Sequence, residues 1–238
     1  MQGLRLLPNQ PKADDMSELA LSFCGADLRA CDSGALWWPE HKLLVVSDLH
    51  LGKSERIARL GGALLPPYET RETLKKLARE IERHEPAEVI CLGDSFDDLM
   101  AQNALDTEEN LDLVTMMAGR RWIWIEGNHD PGPIALGGAH VAEVRRGPLV
   151  FRHIAMAGAN GEISGHYHPK ARLAGTSRPA FLFDNARLIL PAFGAYTGGL
   201  KSTSRVLSDL MDADAQAILT GPRQHRIPMP RLEARIRQ

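Results

Sequence analysis

Eight polar side chains follow short apolar runs along the chain, and each is of a type that binds metal ions or works beside them. Carboxylate oxygen, amide oxygen and imidazole nitrogen suit hard or borderline divalent cations. The set contains five of the nine histidines of the sequence. Its size and order predict a site for two metal ions. The eight residues are Asp48, His50, Asp94, Asn128, His129, His153, His166 and His168.

Electrostatics and spacing indicate how the first ligands divide. Two dications that lie close together repel each other strongly, so a site that holds both needs a shared anion. Asp94 stands alone in the middle of the series and is predicted to be that bridge. Asp48 and His50 lie two residues apart after a predicted strand, where side chains point the same way, so both are expected to reach one ion.

The later members of the set complete the predicted site. His166 and His168 share the same spacing and are expected to close over both ions from the other side. Asn128 and His153 are predicted to complete the ligands of the second ion. His129 neighbours Asn128 and should point in another direction, which leaves its imidazole free to act on a substrate.

The chemistry predicted for such a site is hydrolysis of a phosphate ester. Two bound dications lower the pKa of a water molecule and neutralise the phosphoryl oxygens during in-line attack. His129 would protonate the leaving oxygen or stabilise charge on the phosphoryl group. The alternatives are polar loop residues that never converge and, for His129, a structural role.

The elements that must position these side chains change in character along the chain. In the first half, apolar runs at 43–46, 89–92 and 122–125 are typical of strands covered on both faces. Helical spacing between them predicts crossovers and therefore parallel pairing. In the second half the predicted strands are short and close together, with Asp184-Asn185 as a hairpin turn.

The helices of the first half are predicted from their apolar stripes. One helix ends before Pro86, and a second spans 107–118 with Leu111, Val114 and Met117 as its apolar stripe. The glycine- and proline-containing segment 52–67 is expected to be a loop. Two sheets packed face to face with helices outside would accommodate both halves. We therefore predict one α/β (α+β) domain over 1–238, with a loose arm at 1–17 and an arginine-rich tail at 222–238.

Composition limits the classes of function. The formal net charge of −2 means that any nucleic-acid surface would be a local patch. Cys24, Cys31 and Cys91 are an odd number without metal-ligand spacing, which fits a reducing compartment. No stretch suits a signal peptide or a membrane span. We expect a cytoplasmic protein without a membrane partner.

Five ordered motifs resemble those of the calcineurin-like metallophosphoesterases. They are Asp48-Leu-His50, Gly93-Asp94, Gly127-Asn-His-Asp130, His153 and Gly165-His-Tyr-His168. The resemblance covers about residues 40–195. It implies an αββα sandwich of two mixed β-sheets flanked by helices, with two divalent metal ions at the strand ends. Manganese is the metal that it favours, with iron and zinc as alternatives.

A narrower resemblance points to the ligase-associated DNA damage response endonucleases of bacteria. It is carried by Asp48-Leu-His-Leu-Gly-Lys53, Leu65-Pro-Pro67, Ser164-Gly-His-Tyr-His-Pro169 and Pro191-Ala-Phe-Gly-Ala-Tyr-Thr-Gly-Gly199. It implies a metal-dependent DNA endonuclease or phosphodiesterase, acting on single-stranded or branched DNA. Its implied partners are a DNA ligase, a helicase and an exonuclease-like protein.

Three further residues are candidates for substrate contact. Lys53 and Arg56 follow the first metal motif and are suited to holding a phosphate, with an exposed salt bridge as the alternative. Tyr196 is suited to stacking on a base, with a tight turn as the alternative.

Two other classes of function stay open. One is a different hydrolase of the same superfamily, such as a nucleotide pyrophosphatase or a phosphomonoesterase. The other is a metal-stabilised scaffold in a repair complex. Association into a homo-oligomer is also open.

Overall fold

The structure is a computed structural model, and it describes residues 18–61, 68–98, 100–132 and 136–232. The predicted arm at 1–17, the Leu65-Pro-Pro67 motif and the last six residues of the predicted tail lie outside these ranges.

The first sheet contains seven strands within the described ranges, and their spatial order follows the chain. The first four strands pair antiparallel, and the fourth to the seventh pair parallel. The parallel half is the part that the apolar runs predicted. The strands are β1 (Glu18–Phe23), β2 (Ala26–Cys31), β3 (Leu36–Trp38), β4 (Leu43–Val46), β5 (Glu88–Cys91), β6 (Arg121–Ile125) and β7 (Ala139–Val141).

The second sheet is built from the remaining eight described strands in the order β15-β14-β12-β13-β10-β9-β8, with β11 paired to β12. The trio β9, β10 and β13 is parallel, and the other pairs are antiparallel. The strands are β8 (Glu143–Arg146), β9 (Leu149–Arg152), β10 (Glu162–Ser164), β11 (Lys170–Leu173), β12 (Thr176–Phe183), β13 (Arg187–Ile189), β14 (Gln216–Leu219) and β15 (His225–Pro228).

Four α-helices lie in the described ranges: α1 (Lys53–Arg59), α2 (Glu69–His84), α3 (Thr107–Met117) and α4 (Arg205–Leu210). Short 3-10 turns occur at Pro39–His41 and Ala101–Ala104. Helix α1 corrects the expectation of an uninterrupted loop over 52–67. None of the described helices has both the length and the apolar character needed to cross a membrane.

The packing of the core confirms two mixed sheets face to face with helices outside. Val45 and Ile90 of the first sheet share one buried cluster with Phe151 and Phe181 of the second. The opposite face of the first sheet packs against α2 and α3. The outer face of the second sheet packs against α4. Each central strand is thus covered on both sides, which explains the unbroken apolar runs.

The apolar stripe predicted for α3 is wrong at Leu111 and Val114, whereas its third member, Met117, packs partly against the core. Leu111 and Val114 are 63% and 46% exposed, whereas Leu113 and Met116 are buried. The reason lies at the start of the helix. Asp106 accepts a hydrogen bond from the Glu109 backbone and donates its own backbone N–H to the Glu109 carboxylate. This capping box sets the phase of the helix, and 113 and 116 then face the sheet.

Two features of the second half match the sequence more closely. Asp184 begins the predicted hairpin turn, and its Oδ1 accepts hydrogen bonds from the backbones of Ala186 and Arg187. The predicted tail begins as an edge strand, because β15 pairs with β14.

The phase of α3 can be tested with two identical substitutions. Leu113→Ala should lower the free energy of unfolding by about 2–5 kcal/mol, because it leaves a cavity against the first sheet. Leu111→Ala, on the exposed face, should change it by less than about 0.5 kcal/mol. Urea denaturation of both variants measures the difference, and equal losses would contradict the described phase.

Candidate metal centre

The five motif loops follow strands whose carboxyl ends meet at one edge of the sandwich. Three loops follow the parallel strands β4, β5 and β6, which are in register at Val46, Cys91 and Trp124. The other two follow the parallel strands β9 and β10. Ligands of α/β sheets bind beyond the carboxyl ends of parallel strands. The edge shared by both sheets is therefore the place to look for a site.

One group of ligand atoms combines both sheets. Asp48 and His50 come from the loop after β4, and His168 comes from the loop after β10. The Nε2 atom of His168 lies 3.1 Å from Asp48 Oδ1 and 3.4 Å from His50 Nε2. All three ligand atoms lie within 4.8 Å of one another. We call Asp48, His50 and His168 the first cluster.

A second group adjoins it. The Nε2 atom of His153 lies 3.3 Å from Asp94 Oδ2 and 3.2 Å from His166 Nδ1. The same nitrogen lies 3.0 Å from Asn128 Oδ1. We call Asp94, Asn128, His153 and His166 the second cluster. All seven side chains predicted as ligands thus fall into two neighbouring clusters, which approach to 4.0 Å between His153 Nδ1 and Asp48 Oδ1.

The donor set fits divalent cations. Asp48 and Asp94 are buried, and the ion-pair partners that the structure gives them are histidines. Burial alone would raise the pKa of Asp94, but the hydrogen bond and charge of His153 outweigh it and lower the pKa to about 2. Both carboxylates are therefore anionic, and buried anions need nearby positive charge.

The backbone at the ligands is strained rather than extended. Asp48, His50, Asp94, His166 and His168 all have positive φ, between 45° and 69°. The expectation that Asp48 and His50 point the same way because they alternate along a strand is therefore wrong, since these residues do not continue a strand. Their side chains converge because both residues adopt the left-handed conformation. Such strain persists only where surrounding contacts hold it, and it is common at functional sites.

Sequence reasoning missed Asp97, which holds two histidines in place. Its Oδ1 lies 2.8 Å from His50 Nδ1, and its backbone carbonyl oxygen lies 2.8 Å from His129 Nδ1. A carboxylate behind a ligand histidine fixes the ring and leaves the other nitrogen for the metal. The spacing of Asp97 three residues after Asp94 is the signal in the sequence that was available for it.

Asp130 was quoted in a motif but given no role, and it proves to be the anchor of two loops. Its buried carboxylate accepts four backbone hydrogen bonds, from Asp94, Ser95, Phe96 and Gly127. Burial raises the pKa of Asp130 to about 6. The four N–H donors connect the loop after β5 to the loop after β6.

His129 lies at the edge of both clusters without belonging to either. Its backbone N–H donates to Asp94 Oδ1 at 2.8 Å, and its ring meets the His50 ring edge-on with centroids 5.1 Å apart. Since Asp97 occupies its Nδ1, its Nε2 is the nitrogen left for a substrate.

The three predicted substrate contacts lie beside the first cluster. The Lys53 ammonium lies 3.4 Å from the Tyr196 carbonyl oxygen, and the Tyr196 side chain is 72% exposed. The Arg56 guanidinium lies 3.0 Å from Asp97 Oδ2. Arg56 thus forms a salt bridge with a buried carboxylate rather than an exposed one, and it supports the carboxylate behind His50. Its contact with a phosphate stays a prediction.

A comparison with known families decides the class of the chain. The sequence profile of the calcineurin-like phosphoesterase family matches residues 41–210. The chain belongs to this family. It is therefore a metal-dependent hydrolase of phosphoester bonds, and both clusters lie within the matched residues. A search of curated proteins gives no match.

Among solved structures, this phosphoesterase is similar to the nuclease MPE of Pseudomonas putida. The two are 26% identical, with a TM-score of 0.72. The similarity covers 88% of this chain and all of the other. It agrees with the narrower resemblance found in the sequence.

The role of Asp97 predicts a specific defect. Asp97→Asn removes the charge that orients His50 and should weaken metal affinity or activity by about 10–100-fold. The measurement is hydrolysis of bis-p-nitrophenyl phosphate as a function of added Mn²⁺. Asp112→Asn is the matched control, because Asp112 is exposed on α3, a helix that supplies no residue to either cluster. Equal behaviour of the two variants would exclude the positioning role.

Proposed function

We propose that this phosphoesterase is a dinuclear phosphodiesterase that cleaves DNA. The observation that carries the proposal is the convergence of seven metal-binding side chains, in two adjoining clusters, next to a histidine that is not needed as a ligand. Histidines with separate structural roles are not expected to converge in one place.

The proposed ligands divide as the clusters do. Asp48, His50 and His168 would hold one ion. Asn128, His153 and His166 would hold the other. Asp94 would bridge the two, since its Oδ2 faces His153 and a shared anion lowers the repulsion between the ions. Bound there, the metals would supply a hydroxide near neutral pH and neutralise phosphoryl oxygens.

The protein's own contribution is centred on His129. With Nδ1 tied to the Asp97 carbonyl oxygen, the ring is fixed and Nε2 is the nitrogen proposed to reach the substrate. In the proposed mechanism Nε2 carries a proton to the leaving oxygen of the ester. Asp97 also fixes His50. One residue thus positions a ligand and the proposed acid relative to each other.

Surfaces on both sides of the clusters support a diester as the substrate. An open groove of about 420 Å³ adjoins the second cluster at Asn128 and His153 and continues to Ile154 and Met156. Lys53 and Tyr196 contact each other on the side of the first cluster, because Gly194, two residues before Tyr196, donates its backbone N–H to the Asp48 carbonyl oxygen. A chain that continues on both sides of the scissile phosphate would use both surfaces, whereas a monoester would use one.

Several finer features of the function belong to the same proposal. DNA as the substrate is supported by the nuclease among similar structures and by the exposed ring of Tyr196. Single-stranded or branched DNA, manganese, and a ligase, helicase and exonuclease-like protein as partners rest on the resemblance of the motifs. A reducing, cytoplasmic location is supported by three free cysteines.

A panel of substrates distinguishes the alternatives. A phosphodiesterase prefers bis-p-nitrophenyl phosphate and single-stranded DNA. A phosphomonoesterase prefers p-nitrophenyl phosphate, and a pyrophosphatase prefers dinucleotide polyphosphates. A scaffold would hydrolyse none of them, and a pulldown with ligase would identify it.

Two substitutions separate metal binding from proton transfer. Asp94→Ala should remove metal from one or both positions and lower activity by orders of magnitude. His129→Ala should keep both metals and lose about 10²–10⁴ in rate. Elemental analysis together with the bis-p-nitrophenyl phosphate assay measures both effects. His225→Ala, on the exposed edge strand β15, is the control. Full manganese-dependent turnover by Asp94→Ala would refute the assignment.

The stacking role of Tyr196 separates DNA from small esters. Tyr196→Ala should weaken binding of single-stranded DNA by about 5–150-fold, since stacking on a base contributes about 1–3 kcal/mol. Turnover of bis-p-nitrophenyl phosphate should stay near that of the wild type. Tyr196→Phe keeps the ring and should bind DNA normally. If Tyr196→Ala lowered both DNA binding and turnover of bis-p-nitrophenyl phosphate, the role of Tyr196 would be structural.

A further inference from the structure

A third group of metal-binding side chains lies on the outer face of the first sheet. Glu18 begins β1, Cys31 ends β2 and His84 ends α2. One ligand atom from each lies within 4.8 Å of the other two. We call Glu18, Cys31 and His84 the third cluster. It contains none of the seven ligands of the proposed catalytic centre.

Two distances within the third cluster are close to those between ligands of one metal ion. The Nε2 atom of His84 lies 3.7 Å from Cys31 Sγ and 3.5 Å from Glu18 Oε1. Tetrahedral zinc, with bonds of about 2.3 Å to sulfur and about 2.0–2.1 Å to nitrogen or oxygen, separates its ligands by about 3.3–3.6 Å. Nitrogen–oxygen hydrogen bonds are shorter, about 2.7–3.2 Å.

The same nitrogen is surrounded by more acceptors than one N–H can serve. Glu80 Oε2 lies 3.2 Å from His84 Nε2, in addition to the atoms of Cys31 and Glu18. An imidazole nitrogen with one hydrogen donates to one of these three partners. A cation in their midst would be contacted by all of them.

The surroundings hold the third cluster in a buried and ordered state. Cys31 is fully buried, and the His84 and Glu18 side chains are 5% and 14% exposed. The His84 ring stacks on Trp37 with centroids 4.7 Å apart, which fixes the direction of Nε2. Arg83 contacts the Glu18 carboxylate at 2.9 Å.

We propose that Glu18, Cys31 and His84 form a structural site for a zinc-class divalent ion, with Glu80 or water as the fourth ligand. Thiolate and imidazole select zinc over magnesium and calcium. The dication and the Arg83 guanidinium carry three positive charges, and the Cys31 thiolate and the carboxylates of Glu18 and Glu80 carry three negative charges, so the buried site is neutral. The ion would connect the edge strand β1 and the end of β2 to the end of α2.

Binding would exchange a proton for the ion. Burial and the nearby carboxylates of Glu80 and Glu18 raise the pKa of the Cys31 thiol well above its usual value. The metal-free site therefore keeps the thiol protonated, and the incoming ion displaces that proton to the solvent.

Cobalt substitution tests this site independently of catalysis. A thiolate bound to Co²⁺ gives a charge-transfer absorption in the near ultraviolet, and none of the proposed catalytic ligands is a cysteine. The full-length protein, stripped of metal and loaded with Co²⁺, should show this absorption. Cys31→Ser should abolish it, and Cys24→Ser, the control, should retain it.

A second variant guards against a folding defect in Cys31→Ser. Glu18→Gln is a milder change at a partly exposed position, and it should weaken cobalt binding at the thiolate site at least tenfold. Cys31→Ser should also keep its manganese-dependent hydrolysis of bis-p-nitrophenyl phosphate. The proposal is overturned if wild-type protein gives no thiolate band while cobalt fills the other centre, or if the band survives in Cys31→Ser. Either result would leave the proposed phosphodiesterase intact.

Discussion

The buried carboxylate of Asp130 holds together the loops that carry half of the site. It accepts backbone N–H groups from the residues after β5 and from the residue that begins the turn after β6. These hydrogen bonds fix the position of Asp94 relative to Asn128 and His129. The close approach explains Gly127, where a Cβ atom would lie 2.2 Å from the Asp94 backbone nitrogen. Strain in the ligand loops is held by this network rather than by local propensity.

The balance of charge at the strand ends sets a second constraint. Among the carboxylates buried at the edge where the sheets meet, Asp48 and Asp94 have histidines as the neighbours that balance them. Burial raises the free-energy cost of every negative charge, so the loops around these carboxylates must place positive charge beside them. The glycine before His166 follows the same logic. A Cβ atom at Gly165 would lie 2.5 Å from Asp48 Oδ2, and the two sheets could not approach closely enough to share ligands.

The sequence predicted the convergence of the seven side chains better than it predicted their surroundings. Polar residues after buried strands are a local signal, and the parallel register carries them to one edge. The double role of Asp97 depends on contacts between loops, which its spacing after Asp94 alone does not predict. The face of α3 was missed because a capping box, rather than the count of apolar residues, sets its phase. The left-handed backbone of Asp48 and His50 was missed because non-glycine residues rarely adopt it.

The division of ligands between the two sheets has a consequence for synthesis of the chain. The strands up to β6 supply Asp48, His50, Asp94 and Asn128, and the strands from β9 onward supply the three remaining histidines. A nascent chain that has emerged only as far as β7 holds neither cluster complete. Domains generally fold as units. The complete site, and with it hydrolytic activity, therefore forms only when the second half has docked on the first. An unfinished chain on the ribosome therefore lacks part of the set of seven side chains.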